Sequence, residues 1–116
     1  MQPVTVTVIG STFSTPIIPD IKQNPFNIGI GVYTTAGAVT SWAVEHCFDF
    51  STVMSPTWNG TTGVTWYPNT GLNSGSATLP ANGNYAFPVA AIRLNITNAV
   101  ATAATVMNLL QATNSP

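Results

Sequence analysis

Apolar and polar residues alternate along much of this chain, and this period of two is its strongest local pattern. Val4, Val6 and Val8 alternate with two threonines near the N-terminus, which is typical of a half-buried β-strand. A second run places Phe26, Ile28, Ile30 and Val32 on one face. Its other face carries Asn27, Gly29, Gly31 and Tyr33. We expect these glycines to let another backbone come close to the outer face.

The following run predicts a strand that returns from a hairpin turn at Ala36 and Gly37. Its inward face is predicted to hold Trp42, Val44, His46, Phe48 and Phe50. Its outward face is predicted to hold Ser41, Ala43, Glu45, Cys47 and Asp49. Because the turn is short, the strands on either side of it are expected to pair with each other.

A long polar stretch, residues 51–84, is rich in Ser, Thr, Gly, Asn and Pro. It predicts an irregular loop region with one short strand at residues 63–67. Irregular segments of this length are uncommon unless they have a function. The alternation resumes after this region, and its predicted inward residues are Phe87, Val89, Ile92, Leu94 and Ile96.

Two further segments are less regular. Residues 14–20 contain Pro16 and Pro19, so they are expected to be extended but not a central strand, because proline lacks a backbone donor. Residues 100–110 fit a helical spacing, and they also fit a strand with Thr105, Met107 and Leu109 on one face. We favour the strand, because the strand before it needs an antiparallel partner.

The pattern as a whole contains about six to eight short strands, frequent turn signals and no convincing helix. It predicts an all-β fold, an antiparallel two-sheet β-sandwich of jelly-roll type. A length of 116 residues fits a single domain over residues 1–116.

The composition excludes several classes of protein. Aromatic and β-branched residues are too frequent for a disordered chain. Polar residues interrupt every apolar run before it reaches the ~18 residues of a membrane helix.

Only 4% of the residues are charged, against about 25% in a typical domain. Two cationic side chains cannot hold a nucleic acid, so we expect no nucleic-acid and no membrane partner. Met1 leads directly into a strand pattern, so we expect no signal peptide.

The residues that carry chemistry do not form a catalytic pattern. His46 is the only histidine, and it alternates onto the apolar face, where a hydrogen-bonded core histidine is expected. Glu45 and Cys47 are its neighbours in sequence, but in a strand they point to the opposite face. Glu45 and Asp49 supply too few oxygens for a calcium site. We therefore expect no enzyme activity, no cofactor and no metal site.

Aromatic residues in and beside the polar stretch are the candidate contacts for a partner. Trp58, Trp66 and Tyr67 belong to the residue types that dominate binding hot spots. Three readings remain open for them: they cap the sandwich, they form a protein interface, or they form a stacking platform for sugars. A second candidate is the N-terminal strand with Val4, Val6 and Val8, which offers an edge for strand pairing. The tail, residues 112–116, is a third.

Three segments together resemble one family. They are residues 23–32 (QNPFNIGIGV), residues 44–49 (VEHCFD) and residues 83–97 (GNYAFPVAAIRLNIT). In this order they resemble small virion proteins of tailed bacteriophages, commonly short-tailed ones, that decorate the capsid. The similarity extends from about residue 25 to residue 111. The resemblance implies an all-β fold and a place in the virion, and it implies no catalytic residues.

This resemblance leads to a specific functional expectation. The chain is expected to be a decoration (cement) protein that is made in the host cytoplasm and binds the major capsid protein on the capsid exterior. A nearly uncharged surface can be covered without desolvating charges, and it suits a homo-oligomer, either a dimer or a trimer. The alternative is a component of the phage tail or fibre, or a module that binds host glycans.

Overall fold

The computed structural model describes residues 3–21 and 26–111, which form a sandwich of β-strands with one helical turn. The strands and the helix, in chain order, are β1 (Val4–Ile9), β2 (Ile28–Ala36), β3 (Val39–Cys47), α1 (Phe50–Val53), β4 (Tyr67–Asn73), β5 (Ala81–Tyr85), β6 (Ala91–Ala99) and β7 (Ala104–Gln111). Within these described residues, no helix is long and apolar enough to cross a membrane.

The strands form two antiparallel sheets. The four-stranded sheet has the order β1-β7-β2-β5, and the three-stranded sheet has the order β4-β3-β6. The segment after β1 runs along the outer edge of β6, with bridges from Phe13 to Asn95 and from Ile17 to Ile92. With this segment as an eighth, irregular strand, each sheet has four members, as in a jelly roll. The predicted all-β sandwich of jelly-roll type is confirmed.

The core lies between the two sheets and takes the inward residues of both. From the four-stranded sheet it receives Ile28, Ile30, Val32, Met107 and Leu109, and from the three-stranded sheet Trp42, Val44, Leu72, Ile92, Leu94 and Ile96. Most of these positions follow from the alternation in the sequence, because side chains of successive strand residues point to opposite faces.

The predicted pairing of the second and third strands is wrong. β2 pairs with β7 and β5, whereas β3 pairs with β6 and β4, so the chain crosses from one sheet to the other at Gly37. Both strands are irregular beside this crossing, with register shifts at Thr34/Ala36 and Val39/Ser41. Such irregularities let a strand change sheets. Alternation identifies the buried face of each strand, but it does not identify the neighbouring strand.

The predicted loop region over residues 51–84 is only partly irregular. It contains most of α1, all of β4 and most of β5. The short strand that was expected at residues 63–67 is wrong, because β4 begins at Tyr67. The sequences of β4 (YPNTGLN) and β5 (ANGNY) have few β-branched residues, so their strand conformation depends on pairing with β3 and β2 rather than on intrinsic propensity.

The remaining segments are mostly as predicted. Residues 14–20 are extended without forming a named strand. The last segment is a strand, β7, and Thr105, Met107 and Leu109 are buried. Its partners differ from the expectation, because β7 pairs with β1 and β2 rather than with β6. The tail, residues 112–116, lies outside the described residues.

Candidate functional site

A cluster of aromatic rings surrounds His46 at one end of the sandwich. The imidazole lies 4.9 Å from the ring of Tyr85, 5.2 Å from Phe48, 5.6 Å from Phe87 and 6.0 Å from Tyr67, measured between ring centroids. The end of β3 and the start of β4 lie side by side here, where His46 and Tyr67 are register partners. The end of β5 supplies Tyr85, so three strands from both sheets build the cluster.

The cluster has a buried base and an exposed rim. His46 and Tyr85 are buried, whereas Phe48 is 52% exposed, Tyr67 47% and Phe87 46%. Phe50 is also exposed and lies with Phe48 around a shallow pocket of about 110 Å³. We call Phe48, Phe50, Tyr67 and Phe87 the aromatic patch. Large apolar side chains that are exposed side by side in this way mark sites of interaction.

Three residues of the aromatic patch were predicted to be inward, and this prediction is wrong. The alternation that buries Trp42, Val44 and His46 does not continue, because β3 ends at Cys47. The chain then enters α1, which begins at Phe50. Phe87 precedes Pro88, between β5 and β6. The proline at that position was a signal that the strand pattern breaks there.

His46 is a hydrogen-bonded core histidine, as predicted. Its Nδ1 lies 2.7 Å from the hydroxyl oxygen of Tyr85. Burial lowers the pKa of His46, and the nearby Glu45 opposes that shift only in part. Burial likewise raises the pKa of Tyr85 above its usual range, against a hydrogen bond from Asn69. The pair therefore consists of a neutral imidazole and a neutral phenol at physiological pH.

The rim of this site offers a surface of exposed aromatic side chains. Cys47, the one thiol in the chain, is buried in a cluster with Val53, Ala90 and Ala91, and burial raises its pKa. Among the described residues, no three or more His, Cys, Asp or Glu side chains lie close enough to hold a metal ion. The aromatic patch can bury apolar area against a partner and can stack against flat groups.

The predicted contact residues Trp58 and Trp66 lie elsewhere, on the outer face of the three-stranded sheet. Both are half-buried and pack, with Val64, against a second buried cluster. Its members are Cys47, Val53, Ala90 and Ala91. The Trp58 indole N–H donates to the carbonyl of Thr62 at 2.8 Å. The two tryptophans thus cover part of the outward side of the three-stranded sheet. Of the three predicted aromatic contacts, only Tyr67 is in the aromatic patch.

Arg93 fixes this covering layer to the sheet. Its Nε donates to Glu45 Oε1 at 2.8 Å. Its guanidinium carbon lies 4.3 Å from the centre of the Trp66 ring and 4.7 Å from that of Phe13. One cation therefore connects the sheet, the segment after β1 and the segment before β4. Arg93 thus occupies one face of the Trp66 ring.

The other predicted contacts lie in β1, at the edge of the four-stranded sheet. Val8 is 2% exposed and belongs to the core, so its side chain is not available at the outer surface. Val4 and Val6 also face the core, but they remain partly exposed. What β1 offers to a partner is its backbone edge and its outward threonines.

Charge is distributed unevenly between the two sheets. The strands of the four-stranded sheet contain no Asp, Glu, Lys or Arg. Glu45 and Arg93 lie in the other sheet, and Asp49 follows it and accepts a hydrogen bond from the Thr65 N–H at 2.9 Å. The outer face of the four-stranded sheet carries instead a shallow groove of about 470 Å³ beside Gly29, Gly31 and Leu110.

Comparison with protein-family models, with curated proteins and with solved structures finds no match. The resemblance to phage virion proteins therefore stays a prediction from the sequence.

Proposed function

We propose that this chain is a bacteriophage capsid decoration protein that binds the major capsid protein through the aromatic patch and acts without catalysis. The observation that carries the proposal is the exposure of Phe48, Phe50, Tyr67 and Phe87 at one end of the sandwich. Aromatic side chains bury large areas at low entropic cost, and they dominate the energy of protein interfaces.

The support beneath the aromatic patch favours a preformed contact. The rings of Phe48, Tyr67 and Phe87 pack on the buried pair of His46 and Tyr85, which is held by a 2.7 Å hydrogen bond. Phe48 also packs on Tyr67, with 5.7 Å between ring centres. Rings that are already packed against a rigid base lose little freedom on binding, so more of the contact energy appears as affinity.

The low charge of the chain supports attachment to a protein lattice. A net charge of −1 gives little electrostatic repulsion between copies that sit close together on a shell. Many copies of one modest contact hold strongly through avidity. The jelly roll occurs in viral capsid domains and also in lectins, so the fold agrees with the proposal but does not select it.

The test is co-sedimentation with shells assembled from the major capsid protein of the phage that encodes this chain. Phe48→Ala and Phe87→Ala are each expected to weaken binding about tenfold or more, the usual loss at an interface hot spot. Both variants should keep the wild-type circular dichroism spectrum, because these side chains contribute little to the core.

Leu110→Ala is the matched control. Leu110 is 61% exposed, so the substitution also removes an exposed apolar side chain, but it does so on the outer face of the four-stranded sheet. This variant should bind shells like the wild type. Undiminished binding by Phe48→Ala and Phe87→Ala, or a larger loss in Leu110→Ala, would place the contact elsewhere and refute the aromatic patch as the site.

The alternative, a tail-associated or glycan-binding module, would use the same exposed rings, because Trp58 and Trp66 are engaged in the fold. It predicts that the protein ignores capsid shells and instead binds polysaccharide from the surface of the host cell. Tyr67→Ala would then abolish the binding of the polysaccharide.

A further inference from the structure

The free edge of β1 is a second surface with a definite geometry. β1 pairs with β7 on one side over all six of its residues. Within the described part of the chain, no strand lies on its other side. Every second residue of an edge strand directs its backbone N–H and C=O groups away from the sheet. β1 therefore presents a row of backbone groups that another strand can bind.

The other sheet edges are protected in ways that β1 is not. The edge of β6 is covered by the segment that contains Phe13 and Ile17. β4 carries Pro68 at its start and a register shift, and β5 has only five residues. Natural proteins block their edges with proline, charge, irregularity or shortness. The β1 sequence, VTVTVI, has no proline and no charge, and its register with β7 is continuous.

The sequence of β1 reads the same in both directions from Val4 to Val8. When two copies of a strand pair in antiparallel fashion about a two-fold axis at Val6, residue 4 lies opposite residue 8 and residue 5 opposite residue 7. Each valine then lies opposite a valine and each threonine opposite a threonine. Valines face the core and threonines face outward in both copies. The strand is thus complementary to itself, and the register that centres on Val6 pairs all five of these residues.

The side chains of β1 also indicate that the core is incomplete at this edge. Val4 and Val6 point between the sheets and pack on the core, yet both remain partly exposed. Val8, in the same row, is 2% exposed. A strand added beside β1 would place a second row of valines against the first, and it would bury the apolar surface that the single chain leaves exposed.

We propose that two copies of this chain form a symmetric dimer through antiparallel pairing of β1 with β1, centred on Val6. The two four-stranded sheets then join into one continuous sheet. The pairing forms about four to six backbone hydrogen bonds and two cross-strand threonine pairs, which are favourable neighbours. No charge has to be desolvated. This inference does not depend on the aromatic patch, which lies at an end of the sandwich formed by other strands.

The test uses charge placed at the threonines of the full chain, with sedimentation velocity at low ionic strength, where charge effects are largest. The wild type is expected to be a dimer. In the variant T5K/T7K, each pairing places lysine opposite lysine twice, and the dimer should weaken about tenfold. The matched variant T5K/T7E places lysine opposite glutamate twice, and it should remain a dimer.

The three variants T5K/T7K, T5E/T7E and T5K/T7E change the same two exposed positions and remove the same hydrogen bond, from Thr5 Oγ1 to Asn108 Oδ1. Mixing T5K/T7K with T5E/T7E should restore a dimer that contains one copy of each, which a merely misfolded variant would not do. A monomeric wild type overturns the proposal. So does equal dimerisation of T5K/T7K and T5K/T7E, because the two threonines would then not face each other.

Discussion

At the scale of single residues, the side chain of Arg93 makes three interactions at once. Its guanidinium pairs with Glu45 and lies between the rings of Phe13 and Trp66. The two charged side chains retain only 12% and 15% of their exposure. A charge pair this far from solvent is costly to break, because the partner that remains is an uncompensated charge.

Arg93→Ala is therefore expected to lower the free energy of unfolding by about 3 kcal/mol, as measured by urea denaturation. Arg93→Lys keeps the charge but loses the planar stacking on both rings, so its cost should be smaller, about 1–2 kcal/mol. The double variant Glu45→Gln/Arg93→Met is the control, since it leaves no unpaired charge. If Arg93→Ala costs no more than this control, the ion pair does not hold the covering layer.

His46 makes the stability of the fold depend on pH. Burial lowers its pKa in the folded chain, so the unfolded chain takes up a proton first as the pH falls. The contribution of His46 to the free energy of unfolding is then fully present above pH 6.5, the pKa of the unfolded chain. It is lost as the pH falls from there toward the lower pKa of the folded chain. The thermal midpoint should therefore drop between neutral pH and the onset of carboxylate titration. His46→Gln should remove this drop, and a drop of equal size in that variant would assign it to another group.

At the scale of elements, the connection between β2 and β3 decides the topology. Gly37 has φ +76°, and the Cα of Ala103 lies 2.7 Å from the position that a Cβ would take. The Val100 N–H donates to the carbonyl of Ala38 at 3.1 Å. Two crossings between the sheets, β2 to β3 and β6 to β7, thus pack against each other at this glycine. A side chain here would separate them.

Gly37→Ala is expected to cost about 2 kcal/mol or more, because it combines a left-handed backbone with a backbone clash. Gly31→Ala is the matched control within β2. No atom lies within 4 Å of its would-be Cβ, so this change should be neutral or should stabilise the fold by about 0.5 kcal/mol through the unfolded chain. Equal midpoints for the two variants in chemical denaturation would contradict the packed crossing.

At the scale of the whole molecule, the uneven distribution of charged residues between the two sheets determines which surfaces can bind a partner without desolvating a charge. All four strands of one sheet are uncharged, and the aromatic patch itself has no charged member. Binding to capsid shells should therefore persist in high salt, since salt screens charge and strengthens apolar burial. In the co-sedimentation assay, the bound fraction should be unchanged as salt rises to molar levels. Release by moderate salt would indicate an electrostatic contact and contradict the proposal.

The fold was predictable to the extent that it depends on local patterns. The buried faces of β1, β2 and β6 follow from alternation, and so does the buried His46. The exposure of Phe48, Phe50 and Phe87 did not follow, because the pattern was extended beyond the ends of the strands. Of the aromatic patch, only Tyr67 was therefore predicted as a contact. Trp58 and Trp66 were predicted as candidate contacts, but their packing on the cluster of Cys47, and the contact of Trp66 with Arg93, depend on how separate segments of the chain come together.

By itself, the sequence determined that this chain is a β-sandwich with a nearly uncharged surface, because the period of two and the composition are properties of short segments. Only the tertiary structure decided which strands are neighbours, which edge is open and which aromatic rings reach solvent. Those outcomes depend on pairing between distant segments. An alternating strand can bury its apolar face beside any neighbouring strand, so the packing of the whole chain determines which strand becomes its neighbour.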